Sequence, residues 1–209
     1  MSFMNKMQLK HRVDSFAKVV DATISTDSMN NNIELEEAIF RGMAALRKLR
    51  SEKGILYIVG NGGSAAVASH ALVDFVNVAK INAHVLHESS LLTCMANDFG
   101  YENAYARVLS QIMQPKDILI AISSSGQSNN ICGAAKLAKQ IGSKVMTFSG
   151  FKSNNALRNI GDINFWLDSE DYGFVEVGHQ FILHNLVDRF GVENKLYVDG
   201  NIEQHTVEA

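Results

Sequence analysis

Proline is almost missing from this chain, one residue in 209, which with its hydrophobic content excludes a disordered tail protein. Cysteine is nearly as scarce: Cys94 and Cys132 are the only two, too few for a disulfide framework and without the paired spacing of a structural zinc site. Reduced thiols are the expectation. Positive charge is not in excess either, with 19 Lys and Arg against 22 Asp and Glu and a net charge of −3. No global basic field exists to hold a polyanion, which argues against nucleic acid as a partner. No apolar run approaches the roughly eighteen residues of a membrane-spanning helix. The opening MSFMNKMQLKHRVDSF has no apolar stretch of secretory-leader length. A cytoplasmic protein with no membrane partner is expected.

Hydrophobic residues make up 46% of the chain, enough for one well-buried α/β domain. An approximate helical stripe runs through residues 6–23, followed by a polar break, STDSMNNN, at 25–32. A second amphipathic helix is predicted over 33–51, ending in Lys48, Arg50 and Lys53 before Gly54, as suits a helix C-terminus. Two helices ahead of the first strand form an extension that needs a partner surface. After Gly54, apolar runs at 55–60, 81–87, 117–123, 143–149 and 163–168 read as strands, with helices near 64–78, 101–113, 127–141 and 174–190. This alternation predicts a three-layer αβα sandwich around a doubly wound, mainly parallel, five-stranded sheet. The expected organisation is a single domain over 1–209: helices for oligomerisation in 1–53, the core in 54–192 and a tail in 193–209.

In open α/β sheets, ligands bind outside the carboxyl ends of the strands. Two of the loops there share a character. One is Gly60-Asn61-Gly62-Gly63-Ser64 and the other Ser123-Ser124-Ser125-Gly126-Gln127-Ser128, and each opens a predicted helix. Glycines let the backbone approach an anion, the free N–H groups of a helix start point at it, and small hydroxyls add donors without bulk. Each loop is a candidate phosphate cradle, although Ser64 or Ser128 could equally serve as a helix cap. Neither loop has the lysine of a nucleotide-binding P-loop or the dinucleotide G-x-G-x-x-G spacing, which points away from nucleotide hydrolysis and NAD.

GNGGS after a strand, a histidine six residues beyond its serine, TCMANDFG at 93–100 and ISSSGQS at 122–128 together resemble the sugar isomerase (SIS) domain family, and within it the phosphoheptose isomerases. The resemblance covers nearly the whole chain, including the closing EVGHQFILH segment. It implies a homotetramer held partly by the N-terminal helices, active sites at subunit contacts, and conversion of a ketose phosphate to an aldose phosphate for heptose synthesis in surface polysaccharide. It implies that Asn61, Gly62, Gly63, Ser64, Asn97, Asp98, Ser123, Ser124, Ser125, Ser128 and Glu176 contact the sugar phosphate. It also implies one zinc ion per site, held by His70, Asp74, Glu176 and His184.

Such a reaction needs a base to take a proton from carbon, an acid to serve oxygen, and stabilisation of the enediolate charge between them. Asp74 and His184 are the proposed base and acid, in no fixed order. His70 and Asp74, four residues apart, share one face of the helix that opens at the first loop. Glu176 and His184 are separated by roughly 12 Å along a straight helix and about 80° around it, so one continuous helix cannot aim both at one ion. Either Glu176 lies in the turn before the helix, or the ligands come from different subunits.

The chain departs from the family pattern at Asp74, where a glutamate is usual, at Glu176, where a glutamine is usual, and at Gly173, where an aspartate is usual. The loop VNVAKINAH is also shorter and poorer in arginine. Gly173 and this loop stand where the family touches substrate, so the departures leave room for another phosphosugar, with sedoheptulose 7-phosphate the first to test. The rival reading is a non-catalytic SIS tetramer that senses a phosphosugar or binds a protein such as a replication initiator. His70, Asp74, Glu176 and His184 together favour the enzyme.

Overall fold

A computed structural model describes residues 7–198, with side chains described for 7–192. Its first helix, α1 (Leu9–Asp21), buries none of its residues and leaves Leu9 and Val13 exposed. The polar break that follows is a hairpin of two strands, β1 (Ile24–Asp27) and β2 (Asn32–Ile33). Asp27 makes the turn, its Oδ1 accepting from the N–H groups of Met29 and Asn31, both at 2.9 Å, as an Asx turn does. Helix α2 (Leu35–Ser51) then lays Ile39, Met43, Leu46 and Leu49 into the core.

The core alternates as the hydropathy pattern predicts: β3 (Leu56–Val59), α3 (Gly63–Asn77), β4 (Ala83–Val85), α4 (Ser89–Phe99), α5 (Ala104–Ile112), β5 (Ile118–Ser123), α6 (Asn129–Ile141), β6 (Lys144–Ser149), β7 (Ile163–Trp166) and α7 (Tyr172–Val198). The strand order is β2-β1-β7-β6-β5-β3-β4, and β3 to β7 are parallel. The expected five parallel strands are present. The sheet nevertheless has seven, because β1 pairs antiparallel with β7, Ser25 opposite Phe165 and Thr26 opposite Asn164. Ser25 and Thr26 are buried, so this strand is polar where the reading looked for apolar residues. Helix α4 was not expected either, and none of its residues is buried.

Side chains on β3 and β5 alternate between two cores. Leu56, Ile58, Ile118, Ile120 and Ile122 pack under α2, α3 and α7, while Tyr57, Val59, Leu119 and Ala121 pack under α5 and α6. This is the covering on both faces that a parallel sheet requires. Helix α7 begins before Glu176 and continues to Val198. Of the tail expected at 193–209, the first six residues therefore extend that helix, and the remainder lies outside the described residues. Among the described residues, no helix is long and apolar enough to cross a membrane.

Candidate active site

Strands β3 and β5 are neighbours, but their connections leave in opposite directions, β3 to β4 at one edge and β5 to β6 on the other side. That makes the gap between their carboxyl ends the switch point of the sheet, where an open α/β fold forms its crevice. The two candidate loops meet there around a cleft of about 230 Å³. Ser64 Oγ and Ser124 Oγ are buried and 3.5 Å apart, linking one loop to the other. Ser123 Oγ and Ser128 Oγ are 3.2 Å apart, and the Gln127 N–H donates to Ser125 Oγ at 3.2 Å. Asn61, Gly62, Gly63, Ser64, Ser123, Ser124, Ser125, Ser128 and Glu176 all line the cleft.

Glu176 stands over the first residue of α3, so close that a side chain on Gly63 would overlap its carboxylate. A carboxylate there is favoured by the partial positive charge of the helix start. Asn61 is held rather than free. Its Nδ2 donates to Asn130 Oδ1 at 2.8 Å, and its Oδ1 accepts from Asn130 Nδ2 at 3.0 Å and from the Tyr101 hydroxyl at 2.9 Å. Sequence reading missed Asn130, Tyr101 and the cleft-lining Tyr172. Asn130 follows the serine loop directly and could have been found there, whereas nothing local marks either tyrosine.

Asn97 and Asp98 are not part of this cleft in the single chain. They lie exposed on α4, where Asn97 Nδ2 donates to Asp98 Oδ1 at 2.9 Å and the Cys94 thiol approaches Asp98 Oδ2 at 3.6 Å. The Asp98 charge holds the exposed Cys94 thiol above its usual range, which lowers its thiolate fraction.

Further along α3, His70 and Asp74 meet His184 of α7. His184 Nδ1 is 3.2 Å and His70 Nε2 3.5 Å from Asp74 Oδ2. The two imidazoles meet edge to face, their centroids 4.9 Å apart. One ligand atom from each of the three lies within 4.8 Å of the others. Asp74 Oδ2 is shut off from solvent, yet no donor meets it in hydrogen-bonding geometry. A buried carboxylate oxygen without a donor, facing two imidazoles, fits a divalent cation, and two histidines with one carboxylate are a familiar zinc donor set. Glu176 does not join this group. It lies within α7 and not in a turn before it, so the first of the two alternatives for reconciling it with His184 fails, and the helix aims it into the serine-lined cleft instead.

Topology and cleft together define an open, doubly wound α/β protein with its site at the switch point. A family model described as the SIS domain matches residues 16–150. The phosphoheptose isomerase of Helicobacter pylori is 29% identical over 169 residues, which are 78% of this chain and 88% of that protein. The one from Mycobacterium tuberculosis is 32% identical over 180 residues, 83% and 90% of the two chains. The solved phosphoheptose isomerase of Francisella tularensis shares the fold, with a TM-score of 0.77 at 24% identity, covering 92% of this chain and all of that one. The chain belongs to the SIS domain family, in which it is a phosphoheptose isomerase-like isomerase.

Proposed function

We propose that the protein is an aldose–ketose isomerase of a sugar phosphate, sedoheptulose 7-phosphate before others, giving a heptose 7-phosphate for surface polysaccharide. One observation carries this reading: the serine- and glycine-lined cleft and the His70, Asp74 and His184 group lie on the same pair of packed helices. From Gly63 to His70 is roughly 10 Å of helix, so a phosphate held at the loops leaves its sugar extending toward the group. The cleft holds its anion with hydroxyls and backbone N–H groups, which add no formal charge, and this is compatible with a slightly acidic chain.

Asp74 and His184 are the base and acid that move the proton between adjacent carbons and their oxygens. His70 packs against His184 and fixes its ring. Glu176, in the cleft, orients the sugar on the phosphate side. His70, Asp74 and His184 would hold zinc. When bound, the ion supplies Lewis-acid stabilisation of negative charge on the sugar oxygens. A cytoplasmic homotetramer is part of this reading, and the exposed apolar residues Leu9 and Val13 of α1 and Val177 and Phe181 of α7 support association with further copies, since they are otherwise left in water.

Following sedoheptulose 7-phosphate by NMR tests the reading, with the protein as purified, after chelation and after zinc return. Conversion that stops on chelation and resumes with zinc is the expected result. Saturable binding without conversion by zinc-loaded protein would replace the enzyme with a phosphosugar sensor.

A further inference from the structure

We infer that Asn155, in the loop after β6, is a positioning residue for the serine turn, acting on it through Gly126. The inference rests on the reading of that turn as the phosphate site. Asn155 is completely buried and does not line the cleft. Its Nδ2 donates to Ser149 Oγ and Gly150 O, both at 3.2 Å, and to Lys152 O at 3.0 Å. Its Oδ1 accepts from the Arg158 N–H at 3.0 Å. Three acceptors share two amide hydrogens, so the side chain is saturated and fixed.

It is fixed against Gly126. Gly126 has a φ of +63°, and any side chain there would overlap the Asn155 amide. Two backbone bonds flank this contact: the Leu157 N–H donates to Gly126 O at 2.9 Å, and the Gly150 N–H donates to Ser124 O at 3.0 Å. The segment from Ser149 to Arg158 thus grips the serine turn at Ser124 and Gly126 without itself lining the cleft. Behind it, His179 Nε2 lies 3.1 Å from Ser149 O. A turn whose hydroxyls and N–H groups converge on a single anion loses affinity when displaced by about 1 Å. The buttress prevents that displacement. None of its contacts reaches His70, Asp74 or His184, so phosphate binding should depend on it and the proton transfer should not.

Asn155 also has a local task, because its bond to Arg158 N–H caps the short helical turn Leu157–Asn159. Serine separates the two tasks: its hydroxyl can keep that cap but is too short to reach Gly126 or Ser149. The experiment compares wild type, Asn155→Ala and Asn155→Ser for inhibition by inorganic phosphate, KM and kcat on the ketose phosphate turned over, bound zinc and melting temperature. Both variants should bind phosphate at least tenfold more weakly and raise KM to match. Their kcat should stay within threefold and their zinc content unchanged, with Asn155→Ser melting above Asn155→Ala. Wild-type KM and phosphate inhibition in Asn155→Ser would overturn the inference and leave Asn155 a local cap. A fall in kcat at constant KM would also overturn it. Wild type indifferent to phosphate would remove the phosphate reading and the inference with it, a result visible before any variant is made.

Discussion

The serine cradle and the His70, Asp74 and His184 group both adjoin α3, the first at its N-terminus and the second further along it, but are built in opposite ways. The cradle is enclosed: Ser64, Ser123 and Ser124 are buried, their hydroxyls find one another, and a loop and a buried histidine back them. The group is open, with His70 more than half exposed and His184 more than a third, while Asp74 keeps an oxygen without a donor. An anion site of backbone and hydroxyl groups can be finished within one chain, since its parts satisfy each other when empty. On the proposed function the second group is the proton-transfer site, and it is left incomplete because its members must remain available to a cation and a reacting sugar.

The largest effect should come from the open region. Asp74→Asn and His184→Ala are each expected to lower kcat by about 10²- to 10⁴-fold, while inhibition by inorganic phosphate stays at the wild-type level. Turnover near normal in both variants would put the chemistry elsewhere. Equal loss of phosphate binding would erase the distinction between the two regions.

The next effect belongs to the enclosed region. His179 is completely buried, and desolvation pushes it down to about 4. Well above pH 6.5 it is neutral whether the chain is folded or not. As pH falls from 6.5 toward 4 the unfolded chain takes up a proton that the folded chain refuses. Stability should therefore drop with acid, by roughly 3 kcal/mol across that window. Denaturant titrations over pH 4 to 7 should show the slope in wild type and a shallower one in His179→Gln, whose amide can still donate to Ser149 O.

A smaller effect should follow Gly126→Ala. It adds a side chain at positive φ and pushes it into Asn155, a cost of about 2 kcal/mol in stability. Phosphate inhibition should weaken together with the melting temperature, whereas zinc content should not change. Loss of zinc in this variant would show that the two regions are coupled.

How much of this was legible in the chain follows the same division. The cradle could be read because it is local: a strand, a turn of small residues and a helix start are consecutive in sequence. His70 and Asp74 could be paired because four residues bring side chains to one helix face. The hairpin of β1 and β2 could not be read, since Ser25 and Thr26 are held by register with β7 and not by hydropathy. Asn155 could not be read either, because its importance lies in the contact with Gly126, and no periodicity reports a contact between two loops.

By itself, then, the sequence determined the alternation of strands and helices, the two small-residue loops that open helices and the placing of His70 and Asp74 on one helix face, since all of these are written in local spacing and composition. Tertiary structure alone decided that the sheet has seven strands, that Glu176 faces the cleft while His184 joins His70 and Asp74, and that α4 leaves Asn97 and Asp98 outside. Those outcomes depend on strand register and helix packing. These are set by which surfaces exclude water together, a property of the folded chain and of no single segment.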